Sequence, residues 1–164
     1  MLQLDIGAQT VESDPQYLLF QLATDCYALD IDCVEWIIHL PALTPMPETP
    51  LYVVGTATLR GKVVPVLDLR QRCGLPASAS TPATRVVVVQ LVGQTLGLIV
   101  DDVTSVSGIP AAAVEPVAAR VQHMPEPRLV AGVAWHNDRL VFLLDLAQVT
   151  SDCTGVLLEG LSAA

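Results

Sequence analysis

The chain repeats itself in two blocks, and this repeat limits the fold more than any other feature. Phe20 to Val34 lies without a gap over Val89 to Val103 at an offset of 69, so that Gln21/Gln90, Leu22/Leu91, Leu29/Leu98, Asp32/Asp101 and Val34/Val103 coincide. Gly55 to Leu69 lies over Gly132 to Leu146 at an offset of 77, aligning Val66-Leu67-Asp68-Leu69 with Leu143-Leu144-Asp145-Leu146. The order of the blocks is the same in both halves. The change of offset, 77 − 69 = 8, puts eight extra residues into the second connection, where Pro110, Pro116, Pro125 and Pro127 mark irregular chain. Such self-similarity points to two copies of one small folding unit.

Each block reads as a hairpin. Tyr17 to Leu22 and Ala28 to Asp32 flank the turn-favouring Thr24-Asp25, as Val86 to Val92 and Leu96 to Val100 flank Gly93-Gln94. Val53 to Leu59 and Val63 to Leu67 flank Arg60-Gly61, and Leu129 to Trp135 and Leu140 to Leu144 flank His136-Asn137-Asp138. At least four short strands per half, with no long helix among them, favour two small barrels that protect their edges over one open sheet. Helix is confined to a turn or two after each Leu-Asp-Leu, as in Leu69 to Cys73, and to the C-terminus. Pro76 to Pro82 has the small, polar, proline-bounded composition of an exposed connection. The expected organisation is therefore an N-terminal tail over 1–14, a first barrel over 15–75, a linker over 76–82, a second barrel over 83–150 and a tail or short helix over 151–164. Pro41, Pro45, Pro47 and Pro50 exclude a central strand between the first half's hairpins.

Eight basic against seventeen acidic residues give a net charge of -9, which would repel a nucleic-acid backbone or an anionic membrane surface. With 52% hydrophobic and 15% charged residues, the chain either buries a large core or offers apolar surface to partners. Met1 to Asp5 carries no basic segment followed by an apolar one, and no apolar run approaches the roughly 18 residues of a membrane span, so a cytoplasmic protein is expected. Cys26, Cys33, Cys73 and Cys153 form no C-x-x-C pair and do not combine with His39, His123 or His136 at zinc-site spacing. They are read as reduced thiols, and neither a metal site nor a cofactor is expected.

Asp68 and Asp145 occupy equivalent repeat positions, and two carboxylates sharing a proton are the acid–base device of aspartic proteases. Those enzymes hold each aspartate in an Asp-Thr/Ser-Gly loop, whereas here the neighbours are Leu69-Arg70 and Leu146-Ala147, so the expected role is to end a strand and cap a short helix. No Gly-x-Ser-x-Gly elbow, phosphate loop or dinucleotide-binding glycine pattern is present, and no catalytic residue is expected. Half of the positive charge, Arg60, Lys62, Arg70 and Arg72, falls within thirteen positions, a candidate recognition patch or simply a solvated hairpin and helix. Trp36, within Val34-Glu35-Trp36-Ile37-Ile38, is either core or an interface anchor.

Val53 to Leu69, with Leu59-Arg60-Gly61-Lys62-Val63-Val64-Pro65-Val66-Leu67-Asp68-Leu69 at its centre, closely resembles the signature of CheW-like domains, and the other strand segments occur in that family's order over about residues 15–150. The resemblance implies an all-β fold of two pseudo-equivalent five-stranded barrels sharing a hydrophobic interior. It further implies a non-enzymatic adaptor that binds the cytoplasmic tip of methyl-accepting chemoreceptors and the regulatory domain of a CheA-type histidine kinase. That kinase domain has the same fold, so a detached kinase domain is the alternative. Joining other CheW-like domains in rings is a further implied contact, at receptor arrays beneath the inner membrane. The receptor determinants of the family match Val34, Gly55, Arg60 and Gly61, and Trp36 and Lys62 are auxiliary candidates. Thr58, where the family often has Asn, and Trp36, where it often has Glu, depart from the pattern and keep a pilus-motility pathway open beside a flagellar one.

Overall fold

The computed structural model describes residues 14–47, 49–76, 78–116 and 126–151. The alternating and all-apolar runs become strands: β1 (Gln16–Leu22), β2 (Asp25–Asp30), β3 (Val34–His39), β4 (Val53–Leu59), β5 (Lys62–Asp68), β6 (Arg85–Leu91), β7 (Gln94–Val100), β8 (Asp102–Gly108), β9 (Val114–Glu115), β10 (Val130–His136) and β11 (Arg139–Leu144). Two short helices, α1 (Leu69–Arg72) and α2 (Leu146–Thr150), follow β5 and β11. The strands form one six-stranded sheet, β9-β10-β11-β2-β1-β8, and one five-stranded sheet, β3-β6-β7-β5-β4.

The sheets do not follow the halves of the sequence. β1 and β2 belong to the sheet built mostly from the second half, and β6 and β7 sit within the sheet of the first. The exchange is reciprocal at the level of residues. Val66 pairs with Gly97 in the parallel contact of β5 with β7, and its repeat equivalent Leu143 pairs with Ala28 in the parallel contact of β11 with β2. Likewise Val34 pairs with Val89, and Val103 with Phe20. The 76–82 segment separates the repeats, and strand pairing crosses it in both directions. Each half also has a strand at a sheet edge that the hairpin signals did not supply, β3 and β8.

Strand exchange produces a shared core. Leu18, Phe20 and Leu29 of the six-stranded sheet pack in one cluster with Val87, Leu96 and Leu98 of the five-stranded sheet, all at most 1% exposed. Each such side chain contributes about 1.5–3 kcal/mol on burial, as an upper figure. Phe20, Tyr27 and Phe142 lie in register across β1, β2 and β11, with ring centroids 6.1 and 5.5 Å apart. The opposite face of the six-stranded sheet buries a second cluster that includes Leu19, Ala28, Ile109 and Val141. The four consecutive valines Val86 to Val89 are buried because β6 is covered on both faces.

A charged link fastens the two sheets where the chain passes from β7 to β8. Asp101 accepts hydrogen bonds from Arg70 Nη2 at 2.7 Å, from Arg70 Nε at 2.9 Å and from the Ala23 amide at 2.8 Å. Burial pushes the Asp101 pKa up, but the Arg70 and Ala23 hydrogen bonds and the Arg70 charge outweigh it and hold the carboxyl below its ordinary value. A depressed carboxylate pKa adds stability above the unfolded-state pKa, and that stability is lost as pH falls through the folded value. Asp101→Asn is therefore expected to cost about 1–2 kcal/mol at pH 7, with the difference from the parent shrinking as pH falls below about 3.9. Urea unfolding from pH 7 to pH 2 measures it; a pH-independent difference would contradict the role of the charge.

Among the remaining expectations, Cys26 and Cys73 are buried and Cys33 half-buried, all three as free thiols. Burial pushes the thiol of Cys73 up to about 12 and that of Cys26 upward as well. Cys153, His123 and most of the two expected tails lie outside the described residues. Among the described residues, no helix is long and apolar enough to cross a membrane.

Candidate interaction groove

The site is built from the two strands at the edges of the five-stranded sheet. β3 alternates half-buried and exposed side chains along Val34–His39, the pattern of an edge strand with one face on the protein. At the far edge, β4 runs into the Arg60-Gly61 turn and returns as β5. The sheet curls until these edges face each other. Trp36, Ile37 and Ile38 from β3 and Thr58, Leu59 and Arg60 from the hairpin line a groove of about 390 Å³.

The turn is costly where Arg60 stands. Arg60 has φ 51° and Gly61 φ 80°, the paired left-handed conformations of a two-residue hairpin turn. Glycine takes this backbone freely and Asn adopts it readily, but for arginine it costs about 1–2 kcal/mol. The Arg60 side chain is exposed, and its guanidinium carbon lies 4.2 Å from the centroid of the Trp36 ring. Among the described residues no carboxylate pairs with it. Ala23 and Val92 hold the same left-handed backbone at the tips of the sister hairpins, so what sets Arg60 apart is its place over Trp36.

The positions picked out in the sequence separate into three kinds. Arg60 and Trp36 meet in the groove, and Gly61 and Lys62 are exposed beside them on the same hairpin. Val34 is half-buried at the start of β3 and packs against the shared core. Gly55 is buried, and a Cβ there would stand 2.5 Å from the Thr44 carbonyl oxygen, so its part is to shape the edge. Ile37, Ile38 and Leu59 line the groove without having been singled out. The half-apolar alternation of Val34 to Ile38 was the signal that could have found the first two.

The basic cluster divides in the same way. Arg70 is committed to Asp101, and Arg72 is 5% exposed and bonded to α2, which leaves Arg60 and Lys62 at the surface. Asp68 and Asp145 take the capping role expected of them: Asp68 Oδ1 accepts from the Arg70 amide at 3.0 Å and Asp145 Oδ1 from the Gln148 amide at 3.3 Å. What the fold presents is an apolar groove with a cation at its rim, the equipment of an interaction module.

Known proteins of the same build agree. The family model for the CheW-like domain matches residues 16–153. The chain is 32% identical over 134 residues to the chemotaxis protein CheW of Helicobacter pylori, covering 82% of this chain and 80% of that one. It is 31% identical over 105 residues, 57% of this chain, to the protein PilI of Pseudomonas aeruginosa. The crystal structure of the scaffolding protein TtCheW from Thermoanaerobacter tengcongensis superimposes with a TM-score of 0.76 at 32% identity, over 83% of this chain and 87% of that chain. The chain belongs to the CheW-like family, and it is a chemotaxis-type coupling adaptor.

Proposed function

We propose that this adaptor joins the cytoplasmic hairpin tip of a methyl-accepting chemoreceptor to the regulatory domain of a CheA-type histidine kinase, and that the receptor sits in the groove between β3 and the Arg60 hairpin. The observation that carries the receptor site is the exposed Arg60 guanidinium held over Trp36 at the rim of an apolar groove, 4.2 Å from the ring centroid. Trp36 and Lys62 extend the contact along the rim, Gly61 lets the turn form, and Val34 and Gly55 act from beneath by fixing the edges. The family's shared fold with the kinase regulatory domain supports barrel-to-barrel contact with that domain and with other CheW-like domains in rings. Such a complex works in the cytoplasm, at arrays under the inner membrane. The likeness to PilI supports a pilus-motility pathway as well as a flagellar one.

Purified protein is expected to bind a soluble receptor-tip fragment and an isolated kinase regulatory domain in the micromolar range by calorimetry. Arg60→Glu should weaken the receptor complex about tenfold, and should change the unfolding free energy by no more than about 0.5 kcal/mol. Failure to bind either partner would remove the adaptor assignment of partners. A large loss of stability would make Arg60 a structural residue instead.

A further inference from the structure

The geometry points to Trp36 as a positioning residue that acts through Arg60, so that the groove selects a helix bearing a carboxylate beside apolar side chains. This rests on the groove being the receptor contact and adds how the contact is read. A long arginine side chain at a turn tip loses much rotamer freedom when it binds, and a residue that already restrains it removes part of that loss. The Trp36 ring does so: it lies 4.2 Å from the guanidinium carbon, and indole is the strongest of the aromatic partners for a cation.

The ring attracts the cation without neutralising it. The guanidinium keeps its full charge and its fork of N–H donors, and among the described residues no carboxylate takes them. The group that matches this fork with two parallel hydrogen bonds is a carboxylate. Ile37, Ile38 and Leu59 supply apolar surface next to it, and Ile37 is 42% exposed. Lys62 follows on the same hairpin, so two cations stand together on a chain of net charge -9. An acidic partner is repelled by most of this protein and drawn to this rim, which fixes how it docks.

The test is a double-mutant cycle on the full chain, read as dissociation constants for a soluble receptor-tip fragment from the same organism. Trp36→Leu and Arg60→Gln are each expected to weaken binding about five- to tenfold. The double variant should be no more than about twofold worse than the weaker single one, and Trp36→Tyr should stay within about threefold of the parent. Replacing one glutamate or aspartate of the fragment by its amide should reproduce the Arg60→Gln loss, and have no further effect on the Arg60→Gln protein. In nuclear magnetic resonance spectra, the Arg60 Nε–H proton should be shifted upfield by the indole ring current, and should return in Trp36→Leu. Multiplicative losses in the double variant, or an Arg60 signal indifferent to Trp36, would overturn the positioning role while leaving the receptor contact standing. Absence of parent binding would overturn both.

Discussion

Gly55→Ala is expected to lower the unfolding free energy by at least about 3 kcal/mol, although it adds one methyl group. The added Cβ would stand 2.5 Å from the Thr44 carbonyl oxygen and 3.0 Å from its carbon, both backbone atoms with nowhere to rotate. The backbone at Gly55 has φ 151°, a conformation that side-chain-bearing residues rarely adopt. Gly55, paired with Val66, directly follows a register shift after Val53 in β4, and the next residue exchanges two hydrogen bonds with Thr44, both at 2.8 Å. Relieving the clash means giving up that bridge and the edge of the groove with it. The repeat supplies its own control. At the equivalent Gly132 the nearest atom is a Val114 methyl at 2.6 Å, with the Glu115 carbonyl at 3.3 Å, so a side chain can give way. Gly132→Ala should cost about 1 kcal/mol. Equal losses in urea unfolding at the two sites would refute this account of Gly55. Loss of receptor binding by Gly55 variants should track the fraction folded.

Arg72→Ala is expected to cost about 3 kcal/mol. Arg72 Nε donates to the Val149 carbonyl at 2.6 Å and Nη2 to the Gln148 carbonyl at 3.0 Å, and its guanidinium carbon lies 4.8 Å from the Tyr52 ring centroid. Those carbonyls belong to the last turn of α2, where a helix leaves its acceptors unmatched. One guanidinium thus clasps α1 of the first repeat to α2 of the second, and removing it strands two carbonyls around a cavity. Arg72→Lys should recover only part of the loss, since an ammonium is a point charge and cannot span both acceptors with a fixed fork. Urea unfolding followed by circular dichroism measures both variants. A cost below about 1 kcal/mol for Arg72→Ala would mean that water replaces the guanidinium at no great penalty.

Arg72 also shows where sequence reasoning stops. Proximity along the chain grouped it with Arg60, Lys62 and Arg70, yet two of the four follow the cap of α1 and turn inward. The last-turn position of Arg72 in α1 gave no signal of this, because the carbonyls it reaches belong to α2 of the other repeat. The hairpins were legible because each has alternating or all-apolar strands around a turn, and the caps at Asp68 and Asp145 because a polar residue ends an apolar run. β3 and β8 were missed because an edge strand needs only one buried face, and β8 is largely polar along Thr104-Ser105-Val106-Ser107. The reciprocal exchange of hairpins left no trace in the sequence at all. A gapless repeat fixes the order of strands within each copy, but pairing within copies and pairing between them bury the same side chains. Of the groove, Arg60 was found from its motif, while its stacking on Trp36 depends on the curl that brings β3 to β4.

On the proposed function, the receptor occupies the groove between these two edges. The most direct measurement is a titration of isotopically labelled protein with the receptor-tip fragment, following methyl and amide resonances. The methyl signals of Ile37, Ile38 and Leu59 and the amides of Arg60 and Gly61 should move together and saturate at one affinity, while Val92, 95% exposed on the β6–β7 turn, stays fixed. Shifts centred on Val92 with an unmoved Arg60 hairpin would place the receptor elsewhere and contradict the account.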